Sequence, residues 1–100
     1  MESYDVIISP AAQSDFLGVA EHIRTLTPDA ADMYYDQLLA ELEILRKNPK
    51  SCAYAKDSLI RLRGYRMLPV TDYLFFFVIS GNTVEIRRIL YAKRQYDKLA

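Results

Sequence analysis

"DYLFFFVISGNTVEIRRILY", Asp72 to Tyr91, is the stretch whose reading decides the fold. It opens with an uninterrupted apolar run, Tyr73 to Ile79, rich in aromatic and β-branched side chains. Such a run suits a strand buried on both faces, and therefore a central one. It is far too short to cross a bilayer, which takes about 20 residues. Gly81-Asn82 is a tight-hairpin signal, and Thr83 to Tyr91 supplies the returning strand. Arg87 and Arg88 are neighbours on that strand, so alternation sends their side chains to opposite faces. One of the two should meet whatever covers the inner face and pair with a carboxylate there.

Upstream, "LIRLRGYRMLPV" (Leu59–Val70) has a period near two. It reads as two short strand pieces hinged at Gly64, with Pro69 marking a strand end or edge. Together with the hairpin this predicts a largely antiparallel three-stranded meander. The stretch between Asn48 and Ser58 reads as a loop.

Further upstream the period is helical. Ala12, Phe16, Val19, Ala20 and Ile23 lie on one face, and Ser9-Pro10 provides the cap and first residue. Thr27-Pro28 repeats that start for a second helix with Ala31, Tyr34, Tyr35, Leu38, Leu42 and Leu45 in its stripe. It ends at Asn48, before Pro49. With few residues between them, the two helices form an antiparallel hairpin. "YDVIIS" (Tyr4–Ser9) reads as an N-terminal strand, and "AKRQYDKLA" (Ala92–Ala100) as a short C-terminal helical turn. The expected fold class is α+β, a helical hairpin covering one face of one sheet, in a single domain over residues 1–100.

Formal net charge is zero, but the charges are divided. Residues 1–45 carry nine acidic side chains and one basic, a balance of −8; residues 46–100 carry twelve basic and four acidic, a balance of +8. Such asymmetry points to a surface that faces a polyanion or an acidic partner. The plainer alternative is that the halves attract each other and the remaining charges are solvated. "MESYDVIIS" has no basic n-region and no long apolar run, so no signal peptide is expected, and a lone cysteine, Cys52, forms no intrachain disulfide. These features suit a cytoplasmic protein without membrane contact.

The chemistry available is narrow. His22 is the only histidine, and its spacing reads as helix surface. With no cysteine cluster beside it, no metal site is expected. The three glycines are scattered, so there is no phosphate-cradling loop, and no cofactor is expected. What remains is a basic and aromatic set: Lys56, Arg61, Arg63, Arg66, Arg87, Arg88, Lys93 and Arg94, interleaved with Tyr54, Tyr65, Tyr73, Tyr91 and Tyr96. Arginine binds phosphate and carboxylate in a bidentate way, and tyrosine offers a stacking face. Packing is the plainer reading for Tyr65 and Tyr73. The exposed sheet face, with Arg66 and the C-terminal tail, is the expected working surface.

"SPAAQSDF" at the start of the helical hairpin, then "GYRMLPVTDYLFFFVI" and "VEIRRILYAKR", come in an order that resembles the RelE/ParE superfamily of bacterial type II toxin–antitoxin toxins. The resemblance runs from Tyr4 to about Asp97. It implies a growth-inhibiting, plasmid-stabilising toxin neutralised by a cognate antitoxin, in a dimer or a toxin–antitoxin heterotetramer. Two actions occur in the superfamily. ParE-like members poison DNA gyrase; RelE-like members are ribosome-dependent mRNA endonucleases. An attenuated member would act only as an antitoxin-binding, regulatory module. The resemblance places Arg66 and Arg94 at the ribonucleases' basic positions, with Tyr96 nearest their terminal tyrosine, as the catalytic candidates. Leu68 and Leu74 stand where RelE has a lysine and an arginine, so the match is better to the ParE-like branch. Arg61, Arg63, Arg88, Tyr91 and Lys93 are the candidates for target or antitoxin binding. Whether the chain is an enzyme is left open by these residues.

Overall fold

A computed structural model describes residues 3–92. Strand β1 (Asp5–Ile8) leads into helices α1 (Pro10–Arg24) and α2 (Pro28–Lys47), then a 3-10 turn at Pro49–Ser51. A short helix α3 (Ser58–Leu62) precedes strands β2 (Arg66–Val70), β3 (Tyr73–Ser80) and β4 (Thr83–Tyr91). The sheet order is β1-β4-β3-β2. β2, β3 and β4 form the expected antiparallel meander. β1 closes the other side, parallel to β4, with Asp5 opposite Thr83 and Ile8 opposite Ile86.

The helix starts are the ones the Ser-Pro and Thr-Pro pairs specify. Ser9 Oγ accepts from the Ala12 N–H at 3.2 Å, and Thr27 Oγ1 from the Ala30 N–H at 3.4 Å. Each cap satisfies a backbone donor that the first helical turn leaves unpaired. The Ser9 hydroxyl also donates to the Arg87 carbonyl at 3.1 Å, tying the start of α1 to β4.

β3 is central and buried on both faces. Phe75 and Phe77 join Val19, Leu38, Leu45, Val84 and Ile86 in the core beneath the helical hairpin. Phe76, on the alternate face, joins Ala55, Ile60, Met67 and Leu74 in a second cluster. The sheet is therefore covered twice, by the hairpin on one side and by the α3 segment on the other.

That second cover corrects two expectations. Leu59–Leu62 is helix, not strand; Asp57 caps it, accepting from the N–H groups of Leu59 at 3.0 Å and Ile60 at 3.2 Å. The sheet face opposite the hairpin is not open either. Leu74 and Phe76 need an apolar lid, and Ile60 supplies it. The outer edge of β2 is also closed: Met67 N–H donates to Ala53 O and Ala55 N–H to Tyr65 O, both at 2.9 Å.

β4 departs from strict alternation in one place. Phe76 pairs with Arg88 and Phe77 with Ile86, leaving Arg87 as the extra residue of a bulge. Consequently Ile86 and Ile89, three residues apart, both reach the hairpin core. The bulge residue Arg87 and its neighbour Arg88 go to different partners. Arg88 reaches Asp15 of α1, with Nε to Oδ2 at 2.7 Å and Nη2 to Oδ1 at 3.1 Å. Arg87 pairs with Glu85 at 2.7 Å and lies over the Tyr65 ring. The same Asp15 carboxylate takes the Ile89 N–H at 2.9 Å, so one acidic side chain clamps α1 to the strand just past the bulge.

Candidate functional site

The described residues sort the basic side chains into used and unused. Arg66 is used. Its Nη1 donates to the carbonyl of Cys52 at 2.8 Å and of Lys50 at 3.3 Å, and Nη2 donates to the Tyr54 hydroxyl at 3.0 Å. Its guanidinium also lies 4.1 Å from the centroid of the Tyr54 ring. Arg66 thus pins the segment after α2 to the first rung of β2. Burial of Cys52 in this segment pushes its thiol pKa up, and the nearby Arg66 charge only partly opposes that; the thiol is correspondingly poor in thiolate.

Arg88 and Arg87 are used as well. The hydrogen bonds to Asp15 and to Glu85 raise the two guanidinium pKa values, so both stay charged and paired.

The unused cations lie elsewhere. Lys47, Lys50, Lys56, Arg61 and Arg63 carry no ion pair among the described residues. With Arg66 they make six positive side chains between residues 47 and 66, against the single acid Asp57, a balance of +5. Asp57 spends its carboxylate on the cap of α3. An open cleft of about 390 Å³ is lined by Lys50, Tyr54, Gly64 and Arg66 of this segment, together with Ile79 and Gly81.

The sequence-selected residues are only partly brought together. Arg61, Arg63 and Arg66 share this region. Tyr91 lies apart from it, half-buried, with its ring 5.6 Å from Tyr73. Arg66 pairs with Phe77, which pairs with Ile86, and Tyr91 lies five residues further along β4. At about 3.3 Å per residue that is roughly 17 Å. Lys93, Arg94, Tyr96 and the expected C-terminal helical turn lie outside the described residues.

Leu68 belongs to the hairpin core and Leu74 to the second cluster, so the two positions face opposite sides of the sheet. His22 is not on an open surface. It is half-buried against Tyr34 and Tyr73, 3.9 Å from Asp72. Burial raises the Tyr34 pKa, and its hydroxyl accepts from Thr71 Oγ1 at 2.8 Å. Among the described residues no group of three His, Cys, Asp or Glu side chains is placed to hold a metal, and no helix is long and apolar enough to cross a membrane.

Two features escaped sequence reasoning. Lys47 and Lys50 were hidden at a helix end and in a turn. Leu59 and Leu62, assigned to a strand, stand exposed on α3. The signal was present in Asp57-Ser58, a cap pair immediately before an apolar run.

The model of the family described as the ParE toxin of the type II toxin–antitoxin system, parDE, matches residues 6–96. The chain belongs to the ParE toxin family. Its fold matches a chain of the chromosomal ParDE system from P. aeruginosa with a TM-score of 0.68 and 17% identity, covering 90% of this chain and 97% of the other. A chain of the RelBE2 toxin–antitoxin complex from Mycobacterium tuberculosis matches with a TM-score of 0.55 and 18% identity, covering 93% and 97%. No curated protein matches. At these identities the two structures establish the shared fold, and the ParE family places the chain among type II toxins.

Proposed function

We propose that this ParE-family toxin stops growth by binding a protein target, DNA gyrase, and that a cognate antitoxin neutralises it by binding in turn. The observation that carries the reading is the state of Arg66. A guanidinium tied to two carbonyls and a tyrosine hydroxyl is a structural anchor. RNA cleavage by a 2′-hydroxyl needs a base, an acid and a cation aimed at one phosphate. Leu68 and Leu74, the other two sheet positions, lie on opposite faces and carry no charge. A binding toxin needs none of these. It needs a surface with charge to spare, and residues 47–66 have it.

The C-terminal residues belong to the same proposal. Lys93, Arg94 and Tyr96 follow Ala92, whose N–H donates to Asp72 O at 2.8 Å, and they serve as target contacts in a segment that directly follows a rigid strand.

The reading is tested by inducing the chain with and without the small gene beside it. Growth should stop only when the chain is expressed alone, and mapped mRNA 5′ ends should show no new cleavage sites. Deleting Gln95–Ala100 together with Lys93→Ala and Arg94→Ala should abolish the arrest while the circular dichroism spectrum is kept. New mRNA ends that disappear in an Arg66→Ala variant would move the chain to the ribonuclease branch.

A further inference from the structure

The outer face of α3 combines exposed leucine with unpaired positive charge. Leu59 and Leu62 are 64% and 82% exposed. They are one helical turn apart, so they stand side by side. Ile60 is held in the second core, which fixes the rotation of the helix and keeps the two leucines outward. Lys56, Arg61 and Arg63 flank them, and none has an ion pair among the described residues. Two neighbouring exposed leucines beside unneutralised positive charge suit an interaction surface.

We propose that α3 is a docking surface for an acidic, amphipathic segment of the antitoxin. Apolar side chains of that segment cover Leu59 and Leu62, and its carboxylates meet Lys56, Arg61 and Arg63. The proposal rests on the toxin–antitoxin reading above and adds where on the toxin the antitoxin lies. Charge selects the occupant. The segment 47–66 carries a balance of +5, so an acidic partner gains attraction and on-rate. A symmetric contact with a second copy would set α3 against α3 and oppose like charges.

The test titrates the full-length chain with the protein encoded beside it, by calorimetry at low and high salt. Leu59→Ser/Leu62→Ser and Arg61→Glu/Arg63→Glu are compared with wild type. Met33→Ser, which changes an equally exposed apolar residue on α2 (73% exposed), is the control. Circular dichroism confirms that each variant is folded. Both α3 variants should weaken binding by at least about tenfold, and the charge reversal should flatten the salt dependence. The control should bind like wild type. Full affinity in both folded α3 variants overturns the proposal, as does loss of binding in Met33→Ser alone, which places the antitoxin on the hairpin. Absence of binding by the wild-type chain overturns this proposal together with the toxin–antitoxin reading beneath it.

Discussion

Replacing Leu74 by arginine should cost the domain most of its stability and confer no RNA cleavage. The substitution restores the charge that a ribonuclease of the RelE type carries on its central strand. In this chain the position is buried, packed with Phe76, Met67 and Ile60 beneath α3. A guanidinium there has no carboxylate partner in the cluster, and its desolvation is uncompensated. The expected loss is on the order of 3–5 kcal/mol, out of a total of about 5–15 kcal/mol for a domain of this size. Urea unfolding should show the midpoint falling steeply. Leu74→Met, which keeps volume and polarity, should cost less than about 1.5 kcal/mol. A Leu74→Arg variant as stable as wild type would mean that α3 does not close this face.

The Asp15 clamp should give the second large effect. Its carboxylate takes three hydrogen bonds, two from Arg88 and one from the Ile89 N–H. It is largely buried while Arg88 is about one-third exposed, with side-chain accessibilities of 16% and 35%. Asp15→Ala leaves a strand N–H and a charged side chain without partners at the bulge. The expected loss is about 2–4 kcal/mol, discounted for the water that reaches Arg88. Asp15→Asn keeps one acceptor oxygen and should recover part of it. Arg88→Met should cost less than Asp15→Ala, because the carboxylate can still hold the Ile89 N–H and the apolar stem is retained. Equal stability of Asp15→Ala and wild type in urea would remove the clamp from the account.

Much of this fold is legible in the sequence, because its local signals agree with one another. Ser9-Pro10 and Thr27-Pro28 mark helix starts, Gly81-Asn82 marks a hairpin, and the run Tyr73–Ile79 suits only a strand covered on both sides. The parallel partnership of β1 with β4 is a long-range pairing between the ends of the domain, and no local pattern encodes it. In helix α3 "LIRL" satisfies both periods, and the cap at Asp57 carries the deciding information. With these residues in a strand the second sheet face would be open; as a helix they place Ile60 over it. The site was legible in kind but not in place. The basic half is plain from the charges, yet which cations are spent depends on Asp15, Glu85 and the carbonyls of Lys50 and Cys52, and only the folded chain brings those to Arg88, Arg87 and Arg66.

A supercoiling assay tests most directly the proposal that this toxin acts by binding gyrase. Purified chain is added to gyrase, relaxed plasmid and ATP, with and without the antitoxin. The expected result is a dose-dependent loss of negative supercoiling, reversed by equimolar antitoxin. Full supercoiling at a large molar excess of folded chain, in a preparation that arrests growth when expressed, would contradict it.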